Sequence, residues 1–198
     1  LGGGTRGKIG ALSAGVPECP ERGSSGREST TVCGNADGWQ LSVDEMAARL
    51  EGESFEVIAG LESRGFLFGM PIAYKLHKAF IPIRKAGKLP RETAGMSYEL
   101  EYGTASIEVH RNDIRPGMRV VLIDDLIATG GTLEAAAKLL ESLGATVVKI
   151  VCLLQLTGLH GRARWQHYPL ATALPPAGHS DHGHTRHQPG HKPPSLRA

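Results

Sequence analysis

One run, Val120-Val121-Leu122-Ile123-Asp124-Asp125-Leu126-Ile127-Ala128-Thr129-Gly130-Gly131-Thr132, constrains this chain more than any other feature. Its leading aliphatics are too few to span a membrane and read as a strand buried on both faces, as in a parallel sheet. Asp124 and Asp125 follow at the C-terminal end of that strand, where open α/β sheets place their ligands. Next come the small residues Ala128, Thr129, Gly130, Gly131 and Thr132, then Leu133-Glu134-Ala135-Ala136-Ala137-Lys138-Leu139-Leu140, a strong helix former. A turn of this kind gathers backbone N–H groups, two hydroxyls and the positive end of a helix dipole at one point, which suits a phosphate dianion. It is not a Walker loop, which needs Gly-Lys-Ser/Thr. Nor is it a dinucleotide fingerprint, which needs three spaced glycines directly after the strand.

The rest of the chain supplies partners for this unit. Phe55-Glu56-Val57-Ile58-Ala59-Gly60 reads as a first core strand, and Leu61-Glu62-Ser63-Arg64-Gly65 as the turn after it. An apolar helix over residues 66–78 and a strand at Ala79-Phe80-Ile81-Pro82-Ile83-Arg84 complete a right-handed βαβ unit. Pro82 predicts an edge or a bulge for that strand. Residues 85–95 form a polar, mobile loop with Lys85, Lys88 and Arg91. Residues 97–109 read as two short strands around Gly103, and residues 145–154 as a long buried strand. Gly144 caps the preceding helix. A short helix over residues 41–50, capped by Ser42, presents Val43, Met46, Ala47 and Leu50 on one face.

Three segments are expected: an irregular stretch over residues 1–40, a core domain over 41–165, and a Pro-, Gly- and His-rich tail over 166–198 that stays out of the core. His179, His182, His184 and His187 in that tail make only a weak, nonselective metal ligand set without a fold to fix them. At 198 residues with 40% hydrophobic content the chain can bury one real core. A net charge of +2 is too small to argue for nucleic acid, and no apolar run is long enough for a membrane span. Cys19, Cys33 and Cys152 lack metal spacing and fit a reducing compartment, the cytoplasm by default. The Gly-, Ser- and Arg-rich start resembles a transit peptide only weakly.

The run from Val120 to Thr132 closely resembles the phosphoribosyl pyrophosphate (PRPP) signature of the type I phosphoribosyltransferases. Three further stretches narrow the likeness: Gly60-Leu61-Glu62-Ser63-Arg64-Gly65-Phe66-Leu67-Phe68-Gly69, Arg84-Lys85-Ala86-Gly87-Lys88-Leu89-Pro90 and Tyr98-Glu99-Leu100-Glu101-Tyr102-Gly103. Over about residues 55–164 the chain resembles the adenine phosphoribosyltransferase family. That resemblance implies a mostly parallel central sheet flanked by helices with a flexible loop over the active site. It also implies a homodimer, PRPP and adenine as substrates, Mg²⁺ as cofactor, and AMP and pyrophosphate as products, a purine-salvage reaction.

The resemblance also assigns roles. Ala128, Thr129, Gly130, Gly131 and Thr132 would bind the 5-phosphate, while Asp124 and Asp125 would contact the ribose hydroxyls, directly or through Mg²⁺ brought mainly by PRPP. Ser63 and Arg64 would sit in the pyrophosphate turn. Lys85 and Lys88 lie on the loop that closes over PRPP in the family, and Arg84, just before it, would be a further substrate contact. Glu101 matches the family's glutamate for proton handling on the purine, with Tyr102 beside it. Catalysis would then fall to Glu101, Asp125 and Arg64. Before residue 54 no Phe-Pro-x-x-Gly-like turn of the family's adenine hood is found, and Gln155 stands where the family usually has glutamate. Two alternatives follow: a noncatalytic PRPP- or AMP-binding relative with an incomplete base pocket, and transfer to another purine such as hypoxanthine. The Leu-Glu-Tyr-Gly run favours adenine over the latter.

Overall fold

The computed structural model describes residues 15–17, 25–27, 29–100, 103–156 and 167–174. Strands β1 (Gly15–Pro17) and β2 (Ser25–Arg27) form a two-stranded antiparallel sheet. Helices α1 (Thr30–Cys33) and α2 (Ala36–Ala48) follow. Then come β3 (Val57–Leu61), α3 (Arg64–Lys75), β4 (Ala79–Lys85), β5 (Thr93–Leu100) and β6 (Gly103–His110). The chain continues through β7 (Arg119–Ile127), α4 (Gly131–Ser142), β8 (Thr146–Gln155) and β9 (Leu170–Thr172).

Seven strands make one sheet in the order β5-β6-β4-β3-β7-β8-β9. From β4 to β9 all neighbours are parallel, and the β5–β6 hairpin joins β4 antiparallel at the edge. Strand order reverses at the β3–β7 pair: β3 leads through α3 to β4 on one side, and β7 leads through α4 to β8 on the other. In such sheets the crevice outside the strand ends at the reversal is where ligands bind.

Period-two alternation builds both faces at once. Val57, Ala59, Val120 and Leu122 pack with Leu133, Ala136, Leu139 and Leu140 of α4. Their neighbours Ile58, Val121 and Ile123 pack on the opposite face with Phe68 and Ile72 of α3 and Met46 and Ala47 of α2. Each strand therefore reads as continuously apolar, because both faces are covered. Gly144 has φ +89 and its N–H donates to the Glu141 carbonyl (2.9 Å), the left-handed stop expected after α4.

Several expectations are corrected. Helix α2 begins at Ala36, not at residue 41: Asn35 caps it by accepting the Gly38 N–H (2.8 Å), and the Ser42 hydroxyl instead donates to the Gly38 carbonyl (2.8 Å) inside the helix. With α1 also helical and Val32 fully buried, the irregular stretch expected up to residue 40 does not extend through residues 30–40. The tail also enters the core. Leu170–Thr172 forms β9 beside β8, and the Ala173 and Leu174 N–H groups donate to the Cys152 and Leu153 carbonyls (both 3.0 Å), burying both side chains. Edge pairing needs only a few residues, too short a stretch for sequence periodicity to register.

Pro82 lies on an interior strand rather than an edge. The Glu62 N–H donates to the Ile83 carbonyl (2.9 Å), so the polar groups of Pro82 point away from β3, toward β6. There the β4–β6 ladder covers only Arg84 and Lys85, so no hydrogen bond is lost at the proline. The His-rich tail segment and Cys19 lie outside the described residues, and no helix among the described residues is long and apolar enough to cross a membrane.

Candidate active site

Register places the two motif-bearing strand ends side by side: Gly60 of β3 pairs with Ile123 of β7. The turns that leave those strands enclose a cleft of about 410 Å³. On the β3 side it is lined by Glu62, Ser63 and Arg64, with Lys85 from the end of β4. The β7 side contributes Asp124, Asp125 and the whole turn Ala128, Thr129, Gly130, Gly131 and Thr132.

The phosphate turn owes its shape to Gly130, which has φ +78 at the N-cap of α4. A side chain is strained there, so glycine is required. The first bond of the helix is Glu134 N–H to the Gly130 carbonyl (2.9 Å), which leaves the amides of Gly131, Thr132 and Leu133 without an intrahelical partner. Donors and the helix dipole thus converge on the cleft.

Asp125 is only 3% exposed at the end of β7. Its Oδ2 accepts Arg64 Nε (2.6 Å) and the Ser29 hydroxyl. Asp124 Oδ1 accepts the Asp125 N–H (2.8 Å). Burial, then the neighbouring Asp125 charge, pushes the Asp124 carboxyl well above the usual range, although the Asp125 N–H and Arg64 oppose the shift. The two acids are consequently unequal: Asp125 is paired with a cation, and Asp124 has a raised carboxyl pKa. Gly65 permits this approach of α3 to β7, because a Cβ there would lie 2.8 Å from the Ile123 carbonyl oxygen. The Glu62–Ser63 peptide in the same turn is cis.

The basic loop is anchored by two carboxylates. Glu62 accepts Arg84 Nε and the Lys85 N–H, both at 3.0 Å. Burial raises the Glu62 carboxyl, but the Lys85 amide and the Arg84 guanidinium together bring it below the usual range. Glu108 of β6 accepts the Lys88 and Leu89 N–H groups, both at 2.9 Å. Desolvation pushes Glu108 up, yet the Leu89, Gly87 and Lys88 amides and the Thr93 hydroxyl outweigh it and hold the carboxyl low.

Because the folded-state pKa of Glu108 is depressed, its contribution is present at neutral pH and is lost as pH falls through that lowered value. Glu108→Ala is expected to speed amide exchange at Lys88 and Leu89 by at least about tenfold, since each loses a bond to a charged acceptor. Hydrogen-exchange mass spectrometry checks this, and unchanged exchange would show that the loop is held by something else.

Ser63, Arg64, Lys85, Asp124, Asp125 and all five residues of the phosphate turn therefore meet at one cleft, as expected from the sequence. Arg84 instead turns to Glu62 and to the Lys88 carbonyl (3.2 Å), and Lys88 is exposed on the loop outside the lining of the main cleft. Glu101 and Tyr102 lie outside the described residues. Ser29, Glu108 and the Glu62 clamp were not foreseen as site residues. Glu62 stood inside the quoted turn, but nothing local marks Ser29 or Glu108.

Residues 40–184 match the family model described as "Phosphoribosyl transferase domain", which sets the class as phosphoribosyl transfer. Over 147 residues the chain is 59% identical to the adenine phosphoribosyltransferase of Agathobacter rectalis, covering 74% of this chain and 84% of that protein. The crystal structure of adenine phosphoribosyltransferase from Thermoanaerobacter pseudethanolicus aligns with a TM-score of 0.81 at 44% identity, covering 85% of this chain and 98% of that one. The Saccharomyces cerevisiae enzyme, solved with D-2,5-dideoxy-2,5-imino-altritol 1,6-bisphosphate and adenine, aligns with a TM-score of 0.81 at 35% identity, covering 86% of this chain and 98% of that one. The chain belongs to the adenine phosphoribosyltransferases, enzymes that transfer the phosphoribosyl group of PRPP to adenine.

Proposed function

We infer that this cleft carries out that transfer with the residues assembled in it, giving AMP and pyrophosphate in the cytoplasm. The observation that carries the reading is the meeting of Arg64 and Asp125 (2.6 Å) at the mouth of the phosphate turn. A diphosphate-binding cation, a ribose-binding acid and a phosphate cradle thereby share one cleft. The turn from Ala128 to Thr132 holds the 5-phosphate, Asp124 and Asp125 hold the ribose hydroxyls, and Ser63, Arg64 and Lys85 meet the diphosphate, with Arg84 at the end of β4 and Lys88 on the loop that follows. Glu101 and Tyr102, which follow β5 in the sequence, serve the base.

Displacement at the anomeric carbon builds positive charge on the sugar as the pyrophosphate leaves. Asp125, nearly buried, stabilises the first charge, and Arg64 with Lys85 the second. Fixed groups already aimed at developing charge are often the largest catalytic contribution. An incoming diphosphate competes with Asp125 for Arg64, so substrate binding itself frees the acid to meet the ribose.

Among the described residues no cluster of three or more His, Cys, Asp or Glu side chains could hold a metal by itself. The donor set fits Mg²⁺ that arrives on the diphosphate and takes at most one or two carboxylates, Asp124 or Asp125, as Mg²⁺ commonly does. When bound it supplies neutralisation of phosphate charge. Both described cysteines, Cys33 and Cys152, are free thiols, in keeping with a reducing compartment.

A homodimer is supported by an apolar surface. Leu67, Met70 and Tyr74 recur along one face of α3 and are exposed, Tyr74 at 91%, and Trp39 of α2 is exposed as well. Exposed apolar faces of this kind mark protein contacts. The double variant Met70→Glu, Tyr74→Glu is expected to run as a monomer in light scattering. A persistent dimer would move the interface elsewhere.

The binding arm is tested by calorimetry of PRPP with Mg²⁺. Saturable binding that Arg64→Ala weakens by about tenfold or more, the usual loss when a charge-assisted contact is removed, supports these roles. Equal binding by the variant would refute the diphosphate assignment.

A further inference from the structure

Tyr98 lies on β5, on the hairpin opposite the phosphate turn, and its phenol oxygen sits 3.0 Å from Thr132 Oγ1. Its ring packs against the core beneath α4. It also lines a smaller cavity of about 140 Å³ together with Thr132, Glu62, Arg84 and Lys85. One side chain thus touches the phosphate turn and borders the clamp that holds the basic loop. Either hydroxyl can donate in the Tyr98–Thr132 bond, so the pair by itself has no fixed direction.

A phosphate dianion removes that freedom. It offers only acceptors, so a Thr132 hydroxyl that binds it must donate its single proton to it. The lone pairs of Thr132 are then left for Tyr98, whose O–H becomes the donor. The resulting chain, phenol to hydroxyl to phosphate, polarises each link in turn. We propose that Tyr98 is a positioning residue of the phosphate site, which commits the Thr132 proton to the substrate phosphate and ties the β5–β6 hairpin to phosphate occupancy. The inference rests on the PRPP assignment above and adds to it a link between the phosphate end and the β5–β6 hairpin.

Tyr98→Phe keeps the ring and its packing and removes only the phenol oxygen. The expected result is a KM for PRPP raised by about fivefold, the size of one ordinary hydrogen bond, with kcat and the KM for adenine within about twofold and the thermal transition unchanged. Ribose 5-phosphate, which carries the same phosphate without the diphosphate, should lose inhibitory strength to the same extent. In a Thr132→Val background, Tyr98→Phe should have no further effect, because the chain it feeds is already cut. An unchanged KM in an active enzyme, additive effects of the two substitutions, or a parallel fall in kcat and thermal transition would each overturn the proposal. AMP formation by the unsubstituted chain separates these results from a failure of the PRPP assignment itself.

Discussion

Replacing Asp125 with Asn is expected to lower kcat by about 100-fold, equivalent to roughly 3 kcal/mol of lost transition-state stabilisation. Val120 to Ile123 are fully buried, so β7 is held in place, and Asp125 at its end is held with it at 3% exposure. A charge fixed in so little water acts strongly on positive charge that develops on the sugar beside it, and Asn keeps the shape while removing the charge. Arg64 loses the charge of this partner, though an amide oxygen can still accept from it, and at 51% exposure water compensates the rest, so the fold survives. A second signature follows from electrostatics. The Asp124 carboxyl is raised by burial and then by the Asp125 charge, so removing that charge should move the Asp124 titration downward. Steady-state kinetics and carboxyl carbon NMR read the two effects separately. An Asp125→Asn enzyme with unaltered kcat would remove this acid from the chemistry.

Gly65→Ala is expected to be as damaging by a different route. The added Cβ would meet the Ile123 carbonyl oxygen at 2.8 Å, Asp124 Oδ1 at 3.2 Å and Asp124 Cα at 3.4 Å. The first and third are backbone atoms of β7, which is paired on both sides by β3 and β8 and cannot retreat. Helix α3 must move instead, and it takes with it Arg64, the residue adjacent to the substitution. Overpacking of this kind costs about 1–3 kcal/mol, which in a chain of this size lowers Tm by roughly 5 °C. The displacement of Arg64 matters more: a misplacement of about 1 Å can cost 100-fold in rate. Gly87→Ala is the control. Its φ of +81 strains an alanine, but nothing lies within 4 Å and no catalytic contact shifts. Calorimetric melting and kcat/KM of the two variants should therefore diverge sharply in activity and only modestly in Tm.

Sequence reading succeeds in this molecule where residues act locally and fails where distant segments meet. The β7 unit was legible because its strand, acids, glycine turn and helix are contiguous, and each is imposed by its own neighbours. The β3 turn with Arg64 was legible for the same reason. Ser29 was not, because its partner Asp125 is 96 residues away and the segment before it has no apolar period. Glu108 reads as an ordinary strand acid until the β5–β6 register brings it beneath the Lys88 and Leu89 amides. The onset of α2 was missed because Ala36 to Gln40 carry little amphipathic pattern and Asn35, not Ser42, supplies the cap. Before residue 54, where the sequence shows no pattern of the adenine hood, the hydroxyl of Ser29 hydrogen-bonds Asp125, the buried acid of the cleft.

The most direct test of the account is product formation by the full chain. Incubated with adenine, PRPP and Mg²⁺, it should release AMP and pyrophosphate in equal amounts, with adenine used in strong preference to hypoxanthine. Saturable PRPP binding with no AMP would contradict it, and would identify the cleft bounded by Arg64, Asp125 and the phosphate turn as a binding site that does not turn over.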